Sequence, residues 1–139
     1  MTDVLVGDLM VARFAPYSAE KIKEKAERDY ERLRLEGKTP FYGISTYAIV
    51  RPDEQTSVDD LITRICHANV VNGKRVINGR KVAVTTRRHL EAEGFRVERS
   101  EPPMHHHDVI LGNELREMDT KRLEAILLAD VRKVPTWDS

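Results

Sequence analysis

The stretch that most constrains what this chain can fold into is Phe41–Val50, reading Phe-Tyr-Gly-Ile-Ser-Thr-Tyr-Ala-Ile-Val. It is rich in aromatic and β-branched residues and carries no charge. Pro40 precedes it and Arg51-Pro52-Asp53 follows, so breakers bound both ends. Its apolar residues fall on both strand faces: Phe41, Tyr47 and Ile49 on one, Tyr42, Ile44, Ala48 and Val50 on the other. A strand covered on both sides reads this way, whereas a half-exposed strand alternates more cleanly. It is therefore expected to be the central strand. Gly43 within it signals a bulge or a close backbone approach.

A strand of this kind needs elements on both sides, and the flanking sequence supplies them. Val4–Val6 and Leu9–Phe14 are apolar runs split by Gly7-Asp8, suited to a small hairpin or to one strand and a turn. Ser18 is placed to cap a helix, and Tyr17 to staple onto Ile22. Ala19, Ile22, Ala26, Tyr30 and Leu33 recur at three and four, giving one apolar stripe on a charged helix that Gly37 and Pro40 end. Ser57 opens a second helix, with Asp59 and Asp60 in its first turn and Val58, Leu61, Ile62, Ile65 and Cys66 on its buried face.

Asn78-Gly79 predicts a hairpin joining Arg75–Ile77 to Val82–Val84. Thr85 or Thr86 caps a short helix, Arg87–Glu93, closed by Gly94. Phe95–Arg99 and His107–Leu111 read as strands paired across a Pro-containing turn, Ser100–Met104. Asp119 is placed to cap a last helix whose apolar face is Leu123, Ile126, Leu127 and Val131. The order predicts a single α+β domain over residues 1–139, with about four helices on a mostly antiparallel or mixed sheet.

Composition limits the function. The 139 residues carry 23 Lys and Arg against 23 Asp and Glu, so no whole-molecule field steers the chain to nucleic acid or membrane. No run is long and apolar enough to span a bilayer, and no secretory leader is visible at residues 1–14, which leaves the cytosol as the default compartment. One cysteine, Cys66, rules out an internal disulfide and any multi-cysteine metal site, and reads as an inert core thiol. Phosphate-loop, dinucleotide and nucleophile-elbow motifs are absent, and no cofactor is called for.

Two features could carry chemistry. Between Val70 and Leu90 the chain holds Lys74, Arg75, Arg80, Lys81, Arg87, Arg88 and His89 and no acid. These residues fall on expected turns and a helix start, where side chains and free N–H groups can meet phosphate. Hairpin turns and exposed helix faces are also charged for solubility alone, and no aromatic is interleaved in this segment for base stacking.

The second feature is Met104-His105-His106-His107-Asp108 entering a strand. On a strand His105 and His107 would share a face. An H-x-H pair needs a third metal ligand, and His67, His89 and Asp108 stand at no diagnostic spacing, so no metal is assigned. Acid–base chemistry is the alternative use, because imidazole titrates near neutrality. Ser45-Thr46, in the central strand, has no base beside it in sequence and reads as structural.

Two resemblances follow from these residues. Phe41-Tyr42-Gly43-Ile44-Ser45, with Val84-Thr85-Thr86, Leu90, Gly94-Phe95 and the Pro-plus-His turn, resembles a group of small uncharacterised bacterial proteins with an F-[WY]-G-[LIV]-S core, which implies a fold and no activity. The segment Thr85–Leu128 resembles the HicA-type mRNA interferase toxins, which place a helix, a Gly-aromatic step and a hairpin bearing a catalytic His in this order. That resemblance implies a role for one of His105–His107, although Pro102-Pro103-Met104 stands where HicA proteins carry Gly-Ser. A more distant similarity, to ADP-ribosyltransferase-like domains, rests on Arg13 and Ser45-Thr46 and lacks their E-x-E or Q-x-E signature.

The expectation is a small protein acting on or binding RNA or another phosphate-bearing ligand, in the manner of a toxin-like ribonuclease. Arg80, Lys81, Arg87 and Arg88 would bind phosphate, and His106 or His107 would act as general acid or base. The competing expectation is a non-enzymatic module that docks a protein partner, such as an antitoxin, through the charged first helix and the tail around Trp137. Self-association is left open.

Overall fold

A computed structural model describes residues 2–71 and 80–135. A six-stranded sheet of order β4-β5-β2-β1-β3-β6, with every pairing antiparallel, carries four helices. In chain order the elements are β1 Leu9–Arg13, α1 Ala19–Leu35, β2 Tyr42–Val50, α2 Val58–Val71, β3 Lys81–Thr86, α3 Arg87–Ala92, β4 Arg96–Arg99, β5 His106–Gly112, α4 Glu117–Leu128 and β6 Val131–Lys133. This is an α+β fold. No helix among the described residues is long and apolar enough to cross a membrane.

The layers follow from the side-chain alternation of the two middle strands. Leu9 and Val11 of β1, with Ile44 and Ala48 of β2, face a core closed by Ile22 of α1, Leu90 of α3 and Leu123, Ile126 and Leu127 of α4. Met10 and Ala12 point the other way, onto Leu61, Ile62, Ile65 and Cys66 of α2. All five residues of β1 are buried. Each fully buried Val, Leu or Met contributes about 1.5–3 kcal/mol by leaving water, so β1 shares with β2 the central place expected of β2 alone.

The signals at the ends of α1 are realised in detail. The Ser18 hydroxyl accepts the Lys21 N–H at 3.3 Å. At the other end Gly37 has φ +75°, Lys38 N–H donates to the Leu33 carbonyl (3.0 Å) and Gly37 N–H to the Arg34 carbonyl (3.2 Å). That pair of bonds is a Schellman closure, which needs the left-handed residue that glycine provides. Ser57 and Asp60 exchange backbone-to-side-chain bonds of 2.9 and 3.0 Å at the start of α2. Thr86 caps α3 by accepting the His89 N–H.

Of the two arrangements open for the start of the chain, the described residues show one strand and a turn. Three expectations need correction. Asp119 lies inside the first turn of α4 and does not cap it; its carboxylate takes the Arg116 Nε–H at 2.8 Å. Val131 is not on α4. It opens β6, pairing with Ala83, because α4 stops at Leu128 and the Asp130 carbonyl accepts the Val84 N–H at 2.9 Å. Leu127 and Val131 are four apart, so a continued helix and a new strand look alike in sequence. His105 is not on β5: with φ +68° it belongs to the turn, and its carbonyl accepts the Ala48 N–H at 2.8 Å. The hairpin expected about Asn78-Gly79, with Lys74 and Arg75, lies outside the described residues, as does Trp137. The neighbours of β3 among the described residues are β1 and β6.

The geometry around β2 sets up the site. Pairing of β1 with β2 runs from Val50 to Tyr47. Beyond that the C-terminal half of α1 packs against β2, with Tyr30 stacked on Tyr42 at 4.2 Å and 13°. On its other side β2 pairs with β5 from Tyr42 to Tyr47, with an irregularity at Tyr42/Gly43 where Leu111 is skipped.

Candidate functional site

His106 opens β5 opposite Tyr47, and the alternation of the strand puts Ser45 and Asp108 on the same face. The turn Ser100–His105 folds back over this face. Ser100 N–H donates to the His106 carbonyl (2.9 Å), and His106 N–H donates to the Pro103 carbonyl (3.0 Å). The turn therefore brings the Ser100 hydroxyl to 2.6 Å from His106 Nδ1. Tyr47 meets the imidazole edge-on, with ring centroids 5.7 Å apart at 89°. The serine and the tyrosine hold the ring on two sides.

A cleft of about 330 Å³ opens at this point. Ser100, Pro102, His106 and Asp108 form one wall, Phe41, Gly43 and Ser45 the floor, and Asp29, Arg32, Leu33 and Lys38 the opposite wall. Burial pushes the Asp108 carboxyl above its ordinary range, and His106 and the nearby Ser100 hydroxyl draw it part of the way back. The cations of the cleft are partly matched already: Arg32 lies 3.4 Å from Glu36 and 3.9 Å from Asp29, and Lys38 lies 3.3 Å from Glu36.

The sequence-expected residues divide into three places. His106 is in the cleft. His107, next along the strand, points to the opposite face at the register position of Thr46 and Arg99, and its Nδ1–H donates to the His105 carbonyl at 2.9 Å. The two imidazoles therefore do not share a cavity. Burial also lowers the pKa of His105 on the turn, with Glu101 opposing that effect.

Arg80 and Lys81 lie at the start of β3, and Arg87 and Arg88 follow its end. A six-residue strand separates the pairs by about 20 Å at ~3.3 Å per residue, so they do not form one patch. Arg87 is 3.5 Å from Glu91. Arg80 is linked to the His106 face through aromatics: its guanidinium sits 6.0 Å from the Phe14 ring, Phe14 meets Tyr47 at 6.2 Å, and Tyr47 meets His106. The aromatic partner missing from the basic segment in sequence is thus supplied in space by β1 and β2.

Sequence reasoning missed Ser100, Asp108, Arg32 and Lys38 as cleft residues. The pairing of Arg99 with His107 across the hairpin would have placed Ser100 beside His106, because both flank that pair. Nothing in the sequence ties Arg32 and Lys38 to residues more than sixty positions later. Among the described residues no group of three or more His, Cys, Asp or Glu is gathered to hold a metal ion. No protein-family model, curated protein or solved structure matches the chain.

Proposed function

We propose that this protein acts on RNA or another phosphate-bearing ligand at the His106 cleft, with His106 as the general base and Ser100 and Asp108 as positioning residues. The observation that carries this reading is the 2.6 Å contact between Ser100 Oγ and His106 Nδ1 inside a cleft that also holds Asp108, Arg32 and Lys38. With the Ser100 hydroxyl proton directed at Asp108, Nδ1 carries the ring hydrogen and Nε2 is the basic nitrogen. This arrangement differs from a serine-nucleophile triad, because the serine meets the ring nitrogen that a triad gives to its carboxylate.

On RNA the step is a transesterification. His106 Nε2 takes the 2′-hydroxyl proton as that oxygen bonds to phosphorus, and the bond from phosphorus to the 5′ oxygen breaks. The leaving oxygen takes a proton from solvent, and a 2′,3′-cyclic phosphate remains. The imidazolium is stabilised by the Asp108 carboxylate, and Arg32 and Lys38 offset charge on the phosphoryl oxygens. Phe41 and Pro102 provide apolar surface for a base. Arg80 and Lys81, reached along the Phe14–Tyr47 row, would meet the backbone of a longer strand, while Arg87 and Arg88 would act only on a ligand that wraps past the far end of β3.

The test is cleavage of an end-labelled single-stranded RNA by purified wild type, His106→Ala and His107→Ala. Loss of about 10²–10⁴-fold in rate for His106→Ala, with His107→Ala near wild type, is the expected result. Equal cleavage by wild type and His106→Ala would remove His106 from the mechanism.

A further inference from the structure

Arg13 is a buried charge that the His106 cleft does not use. It ends β1 and is 5% exposed. Its Nε–H donates to the Pro16 carbonyl at 3.1 Å and an Nη1–H to the Ser45 carbonyl at 2.5 Å. The second bond has a structural reason: β1 ends here, so the guanidinium satisfies a β2 carbonyl that no further β1 residue reaches. No carboxylate pairs with Arg13 within 4.0 Å among the described residues. Burial depresses its pKa, opposed by the field of Asp29. A buried cation with no carboxylate in direct contact is costly, and proteins normally pair it.

The remaining face of the guanidinium borders a second cleft, of about 360 Å³, lined by Arg13, Ala15, Pro16, Lys21, Glu24, Lys25 and Arg28. Lys21, Lys25 and Arg28 are spaced four and three apart, so α1 turns one cationic edge toward Arg13. Lys21 is matched by Glu24 at 3.3 Å. Lys25 and Arg28 form no ion pair among the described residues. Like charges at this spacing weaken a helix, so the arrangement is one that an anion would stabilise. It contrasts with the neighbouring cleft, whose Arg32 and Lys38 already have carboxylates beside them.

We infer that the cleft bounded by Arg13, Lys25 and Arg28 is a phosphate-binding subsite, taking a phosphate group of the same ligand that the His106 cleft acts on. The link to that ligand rests on the proposed function; the phosphate site itself does not. The two clefts share a wall. Ser45 bonds Arg13 through its carbonyl and also lines the His106 cleft, and Arg28 on one side is followed along α1 by Asp29 and Arg32 on the other. A guanidinium held by two backbone carbonyls is pre-positioned to offer its remaining N–H groups to phosphate oxygens, and the two flexible cations close over them.

The experiment is a titration of ¹⁵N-labelled protein with inorganic phosphate at pH 7 and fixed ionic strength. Wild type, a Lys25→Ala/Arg28→Ala double variant and His106→Ala are compared, and circular dichroism confirms that each is folded. The expected result is a saturable shift of the Arg13 Nε–H and of the amides around Lys25 and Arg28. The double variant should weaken it at least tenfold, and His106→Ala should leave it unchanged. Shifts that do not saturate, or that the double variant leaves intact, overturn the subsite. A second arm uses a short single-stranded RNA. If RNA binds and cleaves while phosphate fails to shift Arg13, the subsite falls and the His106 reading stands. If phosphate saturates Arg13 while RNA neither binds nor displaces it, the subsite stands and the His106 reading falls.

Discussion

Replacing Gly43 by alanine tests the packing on which the floor of the His106 cleft depends. A Cβ built at Gly43 would lie 2.8 Å from the Val109 carbonyl oxygen and 3.0 Å from Phe41 Cε2. The phenyl ring can swing away, but the Val109 oxygen belongs to the backbone of β5, paired with β2 on one side and β4 on the other. Relief therefore requires two hydrogen-bonded strands to part by a few tenths of an ångström where the β2–β5 register already shifts. Overpacking of this kind costs about 1–3 kcal/mol, and alanine returns about 0.4–1 kcal/mol by restricting the unfolded chain. The net expectation is a loss of about 1–2 kcal/mol. At ~2.1 cal/mol/K of unfolding entropy per residue, that lowers Tm by about 3–7 °C for a chain of 139 residues. Urea unfolding should show a lower midpoint with an unchanged m-value. A Gly43→Ala protein as stable as wild type would refute the close approach of β2 and β5, and with it the shape of the cleft floor.

Further outcomes follow from buried ionisable groups. Burial pushes the Cys66 thiol up to about 11, so it should resist alkylation at pH 8 in the native protein and react once urea unfolds it. Rapid native labelling would contradict its place in the α2 core. Burial alone would raise the Asp130 carboxyl, but bonds from Arg132 and Thr2 hold it below its ordinary value. A depressed acid stabilises the fold above its unfolded pKa and loses that contribution as pH falls through the folded one. Asp130→Asn should therefore be less stable than wild type at neutral pH, with the gap closing below the ordinary aspartate range. Denaturation midpoints at neutral and strongly acid pH measure this.

What could be read from the sequence was local. The Ser18 cap and Gly37 closure of α1, a cap at Thr85 or Thr86 for α3, and a bulge or close backbone approach at Gly43 each rest on a few adjacent residues. The errors came where two solutions share a pattern. Val131 continues the apolar spacing of α4, and only the open edge of β3 decides for a strand. His105 and His107 alternate like strand partners, and only the positive φ of His105 breaks the pair. The candidate site was half legible for the same reason. The histidine turn stands out in sequence, but its partners come from elsewhere: Ser100 and Asp108 by hairpin register, Arg32 and Lys38 by the path of α1. Arg13 looks like the end of an apolar run until β1 is seen to stop beside Ser45.

The most direct test of the account is to follow the imidazole resonances of the histidines by NMR while titrating a short single-stranded RNA at low salt. The account predicts a saturable change at His106, with His107 on the opposite face of the sheet unmoved. An unmoved His106 at saturating RNA, or an RNA that does not bind at all, would contradict it.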